Sequence, residues 1–170
     1  MTRKKTPKDN GWSEIYGGQA FIIPLDCLRH ENLARLSPKG CKLLLTLGRQ
    51  FSGFNNGYLC VTPSVLLKQG WSSASTIWEA VAECEHYGLI EKTQQGGRNR
   101  PSYYALTWRR IHKIENRAPL DAGPTLKPSN EWLNPKPSYQ KPSRKKSTPA
   151  TASTLSAGGA SQKKLLRGRD

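Results

Sequence analysis

The sequence predicts a small α+β domain of three helices and a β-hairpin, with an arm before it and a basic tail after it. Three observations carry the prediction. Ser37-Pro38 and Thr62-Pro63 each join an oxygen-bearing cap to a proline at the first helical position, and an apolar run follows each. A third helical pattern follows the tight turn Trp71-Ser72-Ser73. Two short strand patterns then flank a loop that holds Gly96-Gly97.

Residues 1–19 are polar, charged and Gly-containing, and read as a flexible arm. Order begins near Phe21, and Pro24 to Leu28 make a short helical turn with Leu25 and Leu28 inward. The first main helix starts at Pro38 and ends near Ser52-Gly53. Cys41, Leu44, Leu45, Gly48 and Phe51 share one face of it, with Lys39, Lys42, Thr46 and Arg49 opposite. Asn56-Gly57 is a turn signal, and Tyr58 to Val61 is a short strand. The helix from Pro63 has Val65, Leu66 and Leu67 as its apolar side and ends at Gly70. The next runs from Ala74 to Tyr87 under a Ser73 cap, with Ile77, Ala80, Val81 and Cys84 buried and Gly88 closing it. Leu89 to Thr93 and Ser102 to Trp108 form the hairpin. In its second strand Tyr104, Leu106 and Trp108 lie on one face, and Tyr103, Ala105 and Thr107 on the other.

This order, helix, strand, helix, turn, helix and hairpin, is that of a winged helix-turn-helix: a three-helix core with a β-hairpin wing. The domain spans residues 20–115. After about Arg117 the texture changes. Seven of the twelve prolines fall between 117 and 149, and residues 147–161 are almost entirely Ser, Thr, Ala, Gly and Pro. Residues 116–170 therefore read as a disordered, basic, Pro/Ser/Thr-rich tail.

Net charge is +15, with +2 in residues 1–20, +5 in 21–115 and +8 in 116–170. Such a surplus favours a polyanionic partner. Cys27, Cys41, Cys60 and Cys84 sit in apolar stretches and form no CxxC pair, which suits free buried thiols in a cytoplasmic protein. Cys27 and His30 have a C-x-x-H spacing that no second pair completes, so no metal site is expected, nor any cofactor. No apolar run is long enough for a membrane span, and no h-region follows the basic residues 3–8. GxxxxGK[ST], GxSxG and HExxH are absent, and His30, His86 and His112 have no placed acidic partners, so no enzyme is expected.

The partner expected is double-stranded DNA. A helix in the major groove reads bases with its N-terminal residues, and small polar side chains there let the backbone approach. Ser72, Ser73, Ser75 and Thr76 meet that need, while Trp78 and Glu79 point away from Ile77 and Val81, toward base edges. At the hairpin tip Arg98 and Arg100 flank Asn99 and suit a minor groove, with Gln94 and Gln95 offering phosphate contacts. Lys141, Arg144, Lys145, Lys146, Lys163, Lys164, Arg167 and Arg169 add sequence-independent contacts. Trp132-Leu133 is an apolar spot in the tail that reads as a docking motif for a protein partner.

Leu36-Ser37-Pro38, Gly70-Trp71-Ser72-Ser73, Gln95 through Arg100, and Tyr104-Ala105-Leu106-Thr107-Trp108 together resemble a family of bacterial helix-turn-helix proteins of proteobacterial phages, plasmids and integrative elements. Phe54-Asn55-Asn56-Gly57, Gly70-Trp71 and the Gly96 to Arg100 tip are the most specific part. The chain is more distantly similar to the N-terminal winged helix of phage replication protein O and of plasmid replication initiators. The resemblance implies DNA binding, a recognition helix at Ser73 to Tyr87 and a wing at Gln94 to Pro101. It points to a nucleoid-associated transcriptional regulator or replication-origin binder; a palindromic target would require a homodimer. The competing reading is a winged-helix protein-interaction module whose basic tail binds nucleic acid without selectivity. A third is RNA binding, with an exposed tryptophan stacked on bases.

Overall fold

The computed structural model describes residues 20–98 and 100–142. The expected arm, Asn99 and the tail beyond residue 142 lie outside them. Two short helices, α1 (Leu25–Arg29) and α2 (Glu31–Ala34), lead into α3 (Pro38–Gln50). Strand β1 (Leu59–Cys60), helix α4 (Pro63–Leu66) with a 3-10 turn over Leu67–Gln69, and α5 (Ala74–His86) follow. Strands β2 (Ile90–Gln94) and β3 (Tyr103–Leu106) complete an α+β fold. The sheet is antiparallel, in the order β1-β3-β2.

Local chemistry places these elements. Ser37 caps α3 by accepting from the Gly40 N–H at 3.4 Å, and Ser73 caps α5 by accepting from Thr76 N–H at 3.2 Å. Gln50, at the end of α3, clamps β1: its amide donates to the Cys60 carbonyl at 3.0 Å and accepts from the Cys60 N–H at 2.8 Å. Gly88 turns the chain from α5 into β2 at φ +66. A Cβ there would also meet the backbone of Glu131 at 2.7 Å, so both the left-handed turn and the close approach require glycine.

The core lies between the sheet and helices α3 and α5, and includes Leu43, Leu47, Leu59, Leu66, Ile77, Cys84, Tyr104 and Leu106. The expected stripe of α5 is buried in full. Helix α3 is rotated from expectation. Its buried residues are Gly40, Leu43, Leu44, Thr46, Leu47 and Gly48, while Cys41 is exposed and Leu45 is 62% exposed. The glycines decide between two apolar stripes. A Cβ on Gly40 would meet Leu36 at 2.5 Å, and one on Gly48 would meet the Phe21 ring at 2.7 Å. Thr46 tolerates burial because its hydroxyl donates to the Lys42 carbonyl at 2.7 Å and accepts from Trp71 Nε1 at 3.3 Å.

Three smaller expectations are corrected by the same packing. In α1 it is Cys27 that is buried, while Leu25 and Leu28 are exposed. In α4 only Leu66 is buried, because the helix is a single turn lying across the core. Of the four thiols Cys27 and Cys84 are buried, Cys60 is half-buried and Cys41 is exposed. Burial pushes the Cys27 thiol up to about 11.

The largest correction concerns residues 116–142. Expected to be disordered, they wrap the domain. The Ala122 N–H donates to the Thr93 carbonyl at 2.9 Å and the Asn130 N–H to that of Thr107 at 2.8 Å, so this stretch covers the outer face of the sheet. Ala105 and Thr107 are therefore buried alongside Tyr104 and Leu106. Trp132, in a 3-10 turn over Glu131–Leu133, is only 6% exposed and meets His30 edge-on at 5.5 Å. The partner of this tryptophan is the chain's own domain. Composition misled because Pro and Gly leave few anchors, yet Trp132, Tyr139, two ion pairs and a set of backbone hydrogen bonds suffice to hold an extended segment.

Candidate nucleic-acid interface

Helix α5 offers its outward face to solvent because Ile77, Ala80, Val81 and Cys84 take the inward one. Trp78, on that outward side, is 42% exposed. The hairpin tip stands beside it, closed by Gly97 and Arg100, whose backbones exchange hydrogen bonds at 2.8 and 3.3 Å. Between them lies a groove of about 540 Å³, also lined by Val61, just after β1, and by Pro63 at the start of α4. Trp78, Gln95, Gly96, Gly97 and Arg100 line it. The structure thus brings together Trp78 from the helix half of the expected site with Gln95 and Arg100 from the hairpin half.

At the N-terminus of α5 the hydroxyls are tied to one another. Ser73 Oγ lies 2.9 Å from both Ser75 Oγ and Thr76 Oγ1, and Ser72 Oγ donates to Thr76 Oγ1 at 3.3 Å. Ser72 and Ser75 are exposed, while Ser73 and Thr76 are half-buried. They form a small polar surface at the N-terminus of α5.

Glu79 is engaged within the chain. It forms ion pairs with Lys39 at 2.8 Å and with Lys141. Hydrogen bonds from Lys141 and then Lys39 hold its carboxyl down at about 2. Glu79, expected to meet base edges, is instead occupied by two lysines of its own chain, and Lys39 is occupied in turn. Lys42 likewise donates to the Gly70 carbonyl at 2.5 Å and lies over the Trp71 ring. Glu83 is buried and accepts from both Ser37 N–H and Ser37 Oγ, joining α5 to the start of α3.

The hairpin residues divide. Gln94 is buried, and its amide donates to the Pro101 carbonyl at 3.0 Å, so it braces the hairpin and is withdrawn from any phosphate. Gln95 and Arg98 are exposed, and Asn99 lies outside the described residues. Arg100 is half-exposed and pairs with Asp121 at 2.6 Å. Asp121 also accepts from the Gln95 N–H at 2.8 Å; that bond, with the arginine, holds its carboxyl below the usual range. Asp121 escaped sequence reasoning because it lies in a stretch read as disordered.

Among the described residues no cluster of three His, Cys, Asp or Glu side chains could hold a metal ion, and no helix is long and apolar enough to cross a membrane. His30 Nδ1 accepts from the Asn32 N–H at 3.2 Å, capping α2. The chain matches no protein-family model, no curated protein and no solved structure.

Proposed function

We propose that the chain is a sequence-selective double-stranded-DNA-binding protein with a winged helix-turn-helix fold, encoded on a bacterial mobile element and acting in transcription regulation or at a replication origin. The observation that carries the reading is the groove between the outward face of α5 and the β2–β3 tip, with Trp78 on one wall and Arg100 on the other. In this reading α4, the Gly70 to Ser73 turn and α5 are the helix-turn-helix, and the hairpin is the wing. Ser72, Ser75 and Trp78 face the major groove, and Arg98 and Arg100 follow the neighbouring minor groove. The mobile-element origin rests on the motif resemblance in Gly70 to Ser73 and Gly96 to Arg100.

Charge supports the same reading. The described residues carry sixteen Lys/Arg against nine Asp/Glu, and the rest of the surplus lies in the two ends of the chain. The domain then supplies selectivity and the ends supply salt-sensitive affinity. The competing protein-interaction reading loses one of its docking residues, since Trp132 is buried within the chain.

Selection of the full chain against random duplex DNA tests the proposal. An enriched motif is expected, and binding without any enriched sequence would sink it. Arg98→Ala with Arg100→Ala should lower the slope of log affinity against log salt by about 2, one for each lost phosphate contact. An unchanged slope would remove the hairpin from the interface.

A further inference from the structure

Strand alternation sorts the tyrosines onto two faces of the sheet. Leu59 pairs with Tyr104, and both point into the core; Cys60 pairs with Tyr103. Tyr103, and Tyr58 just before β1, therefore lie on the face turned away from the helices. Their rings are 5.8 Å apart. Tyr58 is buried beneath the guanidinium of Arg117, which lies 5.6 Å from its ring centre, while Tyr103 stays half-buried and accessible.

The wrapping segment covers much of this face and reaches the hairpin end through Asp121, but beside Asn116 and Arg117 it leaves an opening. There a groove of about 650 Å³ opens. Tyr103, Arg117, Arg100, Gln94 and Asn116 line it with Tyr58, and no acidic side chain does. Asp121 fixes Arg100 through one of its terminal nitrogens, and the guanidinium has five N–H donors in all. The groove thus combines a ring face, a planar guanidinium and a second cation.

We propose that this groove binds a single strand of nucleic acid, with one base stacked on Tyr103 and the adjoining phosphates on Arg117 and Arg100. The chemistry selects a single strand over a duplex. Both present phosphates, but only an unpaired base presents a free face to a tyrosine ring. Gln94 is tied to the Pro101 carbonyl, which leaves Asn116 as the one lining amide able to meet a base edge, so affinity follows mainly stacking and charge. Arg100 and Pro101 also border the groove beside α5, so the hairpin stands between the two sites. A junction where duplex opens into a single strand would reach both.

The test uses the full chain and a labelled oligothymidylate of about 12 nucleotides, within the usual site size. Titrations at physiological salt are run beside a duplex. Tyr103→Leu should weaken the single strand about tenfold and leave duplex affinity unchanged. Tyr103→Phe, which keeps the ring, should match the wild type. Arg117→Ala should lower the single-strand salt slope by about 0.7. Trp78→Ala should act on the duplex alone, so the two sites fail separately. Thymidine monophosphate at equal nucleotide concentration should compete poorly, because a lone nucleotide reaches only one arginine. Equal competition would make this a nucleotide site and overturn the strand. Tyr103→Leu binding the oligonucleotide as tightly as wild type would overturn the proposal outright. Should that variant fail to fold, photocrosslinking of the wild-type chain to a bromodeoxyuridine strand decides. A crosslink at Tyr103 supports the site, and crosslinks confined elsewhere reject it.

Discussion

Helix α5 and the segment 116–142 are held to the same core by opposite means. The helix repeats an apolar side chain every three or four residues, and Ile77, Ala80, Val81 and Cys84 together seal one face. The segment has no period. It is fastened at separate points: Asp121 to Gln95 and Arg100, Asn130 to Thr107, Trp132 in the core, Tyr139 to Tyr87 and Lys141 to Glu79. A periodic face spreads its burial over many residues, so each contributes modestly. A segment pinned at points concentrates its attachment in a few, and those few should be unusually sensitive.

The strongest way to break that contrast is Trp132→Ala. If the segment is a working part of the fold, the loss should be about 3–5 kcal/mol, the range for a buried aromatic, and chemical denaturation of the full chain would read it. A change near zero would mean that the segment is detached in solution and that the helical core stands alone. Asn32→Ala should come next. Its amide donates to the carbonyls of Trp132 at 2.9 Å and Asn134 at 2.8 Å, with a longer contact to Tyr87, and its oxygen accepts from the Lys136 N–H at 2.9 Å. Removing it strands buried backbone groups, at about 1–3 kcal/mol. Proteolysis sharpens the point: the variant should be cut between residues 116 and 142 sooner than the wild type, with the rest of the domain protected. Equal cutting rates would show that Asn32 does not hold the segment.

Much of the helical half was legible in the sequence. Ser37-Pro38, Ser73 and Gly88 marked helix ends by chemistry that acts within a few residues, and the α5 stripe followed from spacing alone. What escaped depends on partners far along the chain. Asn56 read as a turn residue. It is wholly buried, with its side chain donating to the carbonyls of Leu106, Arg109 and Arg110 and accepting from the Leu106 N–H. The face of α3 was ambiguous because Leu43, Leu44, Leu45 and Leu47 fit two stripes, and only the positions of Leu36 and Phe21 choose between them. At the candidate interface, Trp78 and Arg100 were visible as a helix face and a hairpin tip. The withdrawal of Gln94 and the pairing of Glu79 were not, since each depends on a partner that no local pattern names.

The smallest expected effect probes the last pin. Glu79 is held near 2 by Lys141 and Lys39, below the ordinary glutamate value of about 4.3. A carboxylate whose folded value is depressed contributes stability above its unfolded value and loses it as pH falls through the folded one. The stabilisation should therefore be complete above about pH 5 and fade from there toward about pH 2. Because both pairs remain in contact with solvent, the effect should be small and weaken further in salt. The clean reading is the difference in melting temperature between wild type and Glu79→Gln, since other carboxylates titrate alike in both. That difference should be constant near neutral pH and shrink as the solution is acidified. A pH-independent difference would mean that Glu79 contributes by packing alone, and that Lys141 leaves the outward face of α5 open beside the groove.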